Sequence, residues 1–383
     1  MRHLRREPRR PCLRGFHLRK ALVASLLAAT VVGCPPSKLP SPPDRGVDLN
    51  PPDLIPPPPP PVPFRHCAPL EVPSGPRKPL RLGGLSFFPE GYTLAPKLPL
   101  PKWASRRLVL GLVGESREAL VGTLANLDWL RRHFASAHVD AIVVLGGLAS
   151  DLAGSKALLD RLRPPADAAR SRRGPPVLVL PGARASLRHL RSALATTPGV
   201  VDLSIFRVLR LPAATLVTLP GHAQPRHLLG GAGGCAYTPE ELATIAPSFA
   251  KLPSPRVLLA YTPPRGRGPS AIDLSAETHI GSRALKDLLK AASIRFGFFS
   301  DVRESGGRAT TSDGVPVKAR IWTTSLLLNV GAVDALPEPT PGGRWLRPLG
   351  AIVEISSGRA RYRLLHPPAA RAQDLVPASG QPR

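Results

Sequence analysis

Val177-Leu178-Val179-Leu180-Pro181-Gly182-Ala183-Arg184-Ala185-Ser186 is the stretch on which the fold turns. Four apolar residues without polar alternation describe a strand covered on both faces. Pro181-Gly182 stops it, and a helix from Arg184 to Leu194 is expected to follow. The end of a strand that tips into a helix is where α/β proteins place their chemistry. Yet the residues after Gly182 are Ala183, Arg184 and Ala185, none of them a nucleophile or an ordinary metal ligand. The frame of a site is present without its usual chemical groups.

The same grammar extends to both sides. Apolar runs at Leu108–Val113 and Ala141–Leu145 precede Val177–Leu180, and amphipathic stretches at Arg117–His133 and Leu152–Leu162 separate them. Leu120, Leu124, Leu127 and Leu130 fall on one helical stripe. Further strands are expected near 200–203, 205–211, 215–219, 257–261, 294–299, 326–329, 351–355 and 361–365, with helices at 239–246 and 282–292. Ser356-Ser357-Gly358 reads as the hairpin turn between the last two strands. Strand and helix alternating in this way predict an α/β domain over about residues 80–366, with a disordered tail at 367–383.

The front of the chain has a different composition. Residues 1–33 carry eight Arg or Lys against one Glu, and a short apolar run, Ala21–Val32, follows the cations. This is the pattern of a signal peptide, with an apolar segment too short to span a bilayer. Val31-Val32-Gly33-Cys34 resembles a bacterial lipobox. That resemblance implies a diacylglyceryl group on Cys34, cleavage before it, and acylation, with palmitate for example, of the new N-terminus. Several acyl chains together give lasting membrane attachment, so the chain is expected in the cell envelope, on the inner or outer membrane, facing the periplasm or the cell surface. Residues 34–66 form the lipidated Cys and a Pro-rich linker: 14 of the 29 residues at 35–63 are proline, which denies the backbone a ladder or a helix. A polyproline spacer of that length reaches up to roughly 90 Å.

The formal charge is +26 and is still +19 once residues 1–33 are set aside. Such a balance favours anionic partners, an anionic ligand or envelope polymer among them. The arginines are dispersed, however, and no Arg-rich helix, RNP-type aromatic stretch or zinc-finger spacing points to a specific nucleic acid. Of four cysteines, Cys12 leaves with the signal and Cys34 takes the lipid, which leaves Cys67 and Cys235. They form either a disulfide, as an oxidising compartment allows, or two free thiols.

Taken in order, the strand ends are Gly114-Glu115-Ser116-Arg117, Gly146-Gly147-Leu148-Ala149-Ser150-Asp151, Pro181-Gly182-Ala183-Arg184, Tyr261-Thr262-Pro263, and Ser300-Asp301-Val302-Arg303-Glu304. Their order and spacing resemble the calcineurin-like metallophosphoesterase family, whose blocks run Asp-x-His, Gly-Asp, Gly-Asn-His-Asp or Glu, a lone His, and Gly-His-x-His. Asn329-Val330-Gly331 is similar to that family's closing Asn-Pro-Gly. The resemblance covers about residues 106–333 and implies a four-layer α/β/β/α sandwich with the site at the strand ends.

Family chemistry uses two divalent ions bridged by the second-block Asp. Here Glu115 stands at the first Asp position, Arg117 at its His, Gly147 at the bridging Asp, Ala183 at the Asn, and Arg184 at the catalytic His. Tyr261 stands at the lone His, and Asp301 and Arg303 at the final pair. None of these holds the family residue, and only Glu115 and Asp301 offer an oxygen. Without a bridging carboxylate, and with guanidinium groups in the metal seats, nothing offsets the mutual repulsion of two dications. The expectation is therefore a catalytically inactive binding or scaffold domain without metal or cofactor. Its arginines either pair with Glu115, Asp301 and Glu304, the preferred reading, or receive an anionic ligand. The alternative is a metal-dependent phosphoesterase with a site rebuilt around Glu115, Asp301 and a nearby His. The chain does not read as a serine hydrolase, because Gly114-Glu115-Ser116-Arg117-Glu118 lacks the second Gly of a nucleophile elbow. Ser116 is expected to cap a helix, His222 and His227 to lie at the surface, and Gly230–Gly234 carries no nucleotide-cradle pattern.

Overall fold

The computed structural model describes residues 65–67, 69–70, 79–82, 85–97, 107–149, 151–163, 174–183, 187–228, 234–336, 338–340 and 345–368. The expected signal segment, Cys34, nearly all of the Pro-rich linker, Arg184, Gly230–Gly233 and the tail beyond residue 368 lie outside the described residues.

Strands β1 (Arg65–His66), β2 (Leu80–Leu82), β3 (Leu85–Glu90) and β4 (Thr93–Pro96) precede β5 (Arg107–Val113). There follow α1 (Val121–Ser136), β6 (Ala141–Leu145), α2 (Leu152–Leu162), β7 (Val177–Leu180), α3 (Leu187–Thr196), β8 (Val200–Asp202), β9 (Val208–Arg210) and β10 (Thr215–Leu219). Next come β11 (Cys235–Ala236), α4 (Pro239–Ala250), β12 (Arg256–Ala260), β13 (Leu274–Ser275), β14 (Thr278–His279) and α5 (Arg283–Ala291). The chain continues through β15 (Phe296–Phe299), β16 (Ala309–Thr310), β17 (Leu326–Asn329), β18 (Gly350–Ser356) and β19 (Arg359–Leu365).

Two large sheets result. One has six strands in the order β19-β18-β5-β6-β7-β8, and the other nine in the order β16-β17-β15-β12-β10-β9-β4-β3-β2. Strand periodicity sends alternate side chains to opposite faces, and this sorts the core into three layers. Leu108, Leu110 and Leu112 of β5 face inward and meet Leu216 of β10, Leu259 of β12 and Phe298 of β15 between the sheets. Val109 and Val113 of the same strand face outward onto Leu127, Leu130 and Phe134 of α1, beside Leu158 and Leu162 of α2. On the far side, Val217, Leu258 and Phe299 support Leu242 and Phe249 of α4 and Leu285 and Leu288 of α5. Helix, sheet, sheet, helix is the expected four-layer α/β/β/α sandwich. It explains why the strands read as unbroken apolar runs: both faces of each are covered.

Several boundaries differ from expectation. Helix α1 begins at Val121, after Leu120, and Ser116 does not cap it. Ser116 instead donates its backbone N–H to Gly147 O at 2.9 Å and bridges to Leu148, which holds residues 114–120 outside the helix. Strand β9 is confined to Val208–Arg210, and β2, β3 and β4 extend the larger sheet where no strands were expected. The turn at Ser357-Gly358, both at positive φ (49° and 72°), joins β18 to β19 as the hairpin reading anticipates. Among the described residues no helix is long and apolar enough to cross a membrane.

The point where the chain joins this body is fastened several times. Strand β1 pairs in parallel with β11, Cys67 N–H donates to Ala236 O at 3.0 Å, and a disulfide joins Cys67 to Cys235. Buried Arg207 donates through Nη1 to Cys67 O at 2.6 Å and through Nε to Thr218 O at 2.9 Å. His66 pairs with Glu241 at 2.7 Å, and Glu241 also completes the capping box of α4 with Thr238.

Candidate functional site

The loops after β5, β6, β7, β10, β12, β15 and β17 converge at one end of the sandwich. Glu115 bridges to Ala332, and Ser116 to Leu148. Gly221 N–H donates to Pro181 O at 3.1 Å and Ser300 N–H to Tyr261 O at 3.0 Å. Asn329, fully buried, organises the far side: its Nδ2 donates to Ile272 O (2.9 Å) and Val302 O (2.8 Å), and its Oδ1 accepts Gly331 N–H at 2.8 Å. The short apolar strands supply a rigid rim, and the loops supply the side chains.

The position of the lone family His holds Tyr261, which is 1% exposed. Its ring lies against the ends of β6 and β7 so closely that a Cβ on Gly146 would sit 2.5 Å from ring carbons, and one on Gly182 would sit 3.0 Å away. Gly146 also has φ +110°, a conformation an L side chain rarely takes. The two glycines therefore make room for an aromatic plug between the loops that carry Gly147 and Ala183, and Ala183 itself is buried. Gly147 contributes a backbone carbonyl to Ser116 and has no carboxylate.

Charges in the hollow are neutralised from within. Arg303 donates through Nη2 to Asp334 Oδ2 at 2.9 Å and through Nη1 to Glu338 Oε2 at 2.5 Å. Arg117 donates its backbone N–H to Asp334 Oδ1 at 2.8 Å, and its side chain lies 3.4 Å from Glu338 and 3.7 Å from Glu115. Burial pushes the Asp334 carboxyl above its usual range, while Arg303 and then the Arg117 N–H pull it down. The expected partners are thus only partly the actual ones. Arg117 does approach Glu115, but Arg303 pairs with Asp334 and Glu338, neither of which the spacing marked. Glu304 accepts Ala276 N–H at 2.9 Å instead.

Asp301, with φ +56°, turns to His222. His222 is 4% exposed, which corrects the expectation of a surface histidine, whereas His227 is exposed. His222 Nδ1 lies 2.8 Å from Gln224 N and 3.1 Å from Gln224 O, and its Nε2 faces Asp301 Oδ2 at 2.9 Å. The ring is buried because the backbone of Gly221-His222 is bonded on both sides, to Pro181 O and to Cys235 O. Nearby, burial raises the Tyr237 phenol well above its ordinary value, with the Asp301 carboxylate adding to the effect, so that hydroxyl stays neutral.

These residues do not fit a pair of divalent ions. The bridging position is a glycine, the lone-His position is an aromatic ring packed on backbone, and the two oxygen donors have other partners, Glu115 beside Arg117 and Asp301 on His222. Among the described residues no group of three or more His, Cys, Asp or Glu is placed to hold a metal ion. Arg184 lies outside the described residues.

No protein-family model matches the sequence, and a search of curated proteins returns no match. Among solved structures, the chain is similar to a dimetal phosphatase from Danio rerio, with 13% identity over 69% of this chain and 99% of that one and a TM-score of 0.41. It is also similar to GAP50, the anchor in the inner membrane complex of Plasmodium, with 10% identity, 68% and 84% coverage and a TM-score of 0.46. A putative 5'-nucleotidase from Staphylococcus aureus gives 11% identity, 72% and 56% coverage and a TM-score of 0.39. The chain folds as a four-layer α/β/β/α sandwich with its loops gathered at the strand ends.

Proposed function

We propose that the chain is a membrane-anchored envelope lipoprotein whose phosphoesterase-like domain binds or scaffolds without catalysing hydrolysis. The observation that carries this reading is the packing of Tyr261 on Gly146 and Gly182, beside arginines already held by Asp334 and Glu338. A two-metal hydrolase needs clustered carboxylates and imidazoles there, and it needs room for the phosphate those ions would clamp. Replacing buried like-charged ligands by an aromatic ring and closed ion pairs leaves the frame intact and removes the repulsion of an apo site.

The lipid is assigned to Cys34 and the spacing role to the proline-rich stretch after it. In support, the chain joins the folded body at the strand pair β1-β11, the Cys67–Cys235 disulfide and Arg207. Load entering from the tether meets the β1-β11 pair first and is then carried into the body by the disulfide at Cys67, which shields the strands that follow it.

Two measurements test the proposal. Elemental analysis of the purified chain, paired with p-nitrophenyl phosphate turnover in added manganese, should give substoichiometric metal and no turnover above the buffer rate. Two bound equivalents with turnover would overturn the non-catalytic reading. Cys34→Ala should abolish incorporation of radiolabelled palmitate and move the chain from the membrane to the soluble fraction; unchanged membrane retention would overturn the anchor.

A further inference from the structure

A second, basic concavity lies away from the strand-end hollow. It opens beside the outer face of the nine-stranded sheet, near its β16 edge, between the loop after β12, helix α5 and the turn after β16, and has a volume of about 810 Å³. That is within the ~300–1,000 Å³ typical of small-ligand sites. Arg265, Arg267, Lys286, Lys290 and Arg295 line it against two carboxylates, Asp287 and Asp313. The floor is the edge of the outer core, including Ile272, Leu289 and Leu327, all buried.

We infer that this groove binds a small oligoanion, a molecule presenting two or more phosphate-like oxyanion groups, at one site. The charge accounting differs from that of the hollow. Arg117 and Arg303 are held by carboxylates, whereas none of the five groove cations joins an ion pair among the described residues. Its lining carries a net charge of +3, which a trianion would balance. Lys286 and Lys290 stand one helical turn apart on α5, so their ammonium groups reach the same space. The walls are fixed beforehand. Arg265 N–H donates to Ser282 O at 2.9 Å, and the turn carrying Asp313 is closed by Thr311 N–H to Val315 O at 2.8 Å. Ser312 N–H donates to Ser325 Oγ at 2.8 Å. Pre-formed walls lower the ordering cost of binding, and concavity favours a small ligand over a polymer laid on a flat basic face. The inference is independent of whether the hollow has lost its chemistry.

The test uses the full chain in detergent micelles and inorganic pyrophosphate as the probe, followed by titration calorimetry at about 0.15 M ionic strength, where the Debye length is ~8 Å. One saturable equivalent is expected. Lys286→Glu with Lys290→Glu should weaken it about tenfold or more, the loss expected when charge-assisted contacts of ~1.5–3 kcal/mol are removed. A control, Arg188→Glu with Lys251→Glu, changes the net charge equally at exposed positions elsewhere and should weaken binding less than about twofold, because distant exposed charges are screened. Thermal melts confirm that both variants fold. No saturable binding, several weak equivalents, or equal weakening in the two variants would each overturn the proposal by showing general attraction to a basic surface.

Discussion

Replacing Arg303 by methionine keeps the length of its stem and removes the cation. In the native chain the Arg303 side chain is 9% exposed and Asp334 is 2% exposed, 2.9 Å away. The substitution leaves Asp334 with the Arg117 N–H at Oδ1 and no guanidinium at Oδ2. Removing one partner of a buried pair typically costs ~3–5 kcal/mol. The lower end applies here, because the other carboxylate released, Glu338, is 42% exposed and turns to water. A loss of about 3 kcal/mol corresponds to a fall in Tm of roughly 5 °C for a domain of this size. The pH dependence gives a sharper signature. Burial already raises the folded-state value of Asp334 above the ordinary one, and losing Arg303 raises it further. Such a group favours the fold fully below its unfolded value, ~3.9, and that contribution is lost as pH rises through the folded value. The deficit of Arg303→Met against the native chain should therefore be widest at neutral pH and narrow as pH falls toward 4. Adding Asp334→Asn, which keeps an acceptor for Arg117 N–H and removes the orphaned charge, should recover most of the loss at pH 7. Urea unfolding at pH 7 and pH 4.5 measures all three. A deficit under about 1 kcal/mol, or one that does not shrink in acid, would refute the view that a structural ion pair fills the hollow.

Three further outcomes follow from the packing. Cys67→Ser with Cys235→Ser opens a link spanning 168 residues, for which chain entropy alone gives about 5 kcal/mol; calorimetry should show a Tm loss in the variant and a matching one in the native chain under reductant. Gly146→Ala should destabilise by ~1–3 kcal/mol through overpacking on Tyr261, and a double-mutant cycle with Tyr261→Ala should return a coupling of ~1 kcal/mol or more, whereas additivity would show that the ring does not fill that space. Asn329→Ala strands the Ile272 carbonyl and the Gly331 N–H in the core, while Val302 O keeps Ser305 N–H, and should cost ~2 kcal/mol or more in urea unfolding.

The fold was legible because burial on both faces leaves a plain mark: Leu108–Val113 and Val177–Leu180 are apolar throughout, and each was read as a covered strand. Strands β2, β3 and β4 were not legible. They alternate weakly, with Phe87 buried and Phe88 37% exposed, and they sit among prolines that mask the pattern. Ser116 was misread because local preference for a helix cap lost to backbone bonds with the end of β6. The positions around the hollow were locatable by spacing, but their partners were not. Asp334 lies 217 residues from Arg117, and His222 lies 79 from Asp301, and no periodicity links such distances. A carboxylate following the Asn329-Val330-Gly331 turn was the one available signal for Asp334, since that turn closes the same end of the sandwich.

Net charge favours an anionic partner without saying where it would bind, and the proposed location rests on how the cations at the two concavities are paired. An anion entering the hollow must displace Asp334 or Glu338 from Arg303, giving up contacts of 2.9 and 2.5 Å, the first of them shielded from water. An anion entering the groove displaces water from Lys286, Lys290 and their neighbours, and no carboxylate has to leave. Desolvating a pair that is already satisfied yields little net gain, so the same guanidinium chemistry is closed to ligands at one end of the sandwich and open beside α5. The two sites are separable by experiment: pyrophosphate binding that responds to Arg303→Met more than to the α5 lysine pair would put the ligand in the hollow and reverse this ordering.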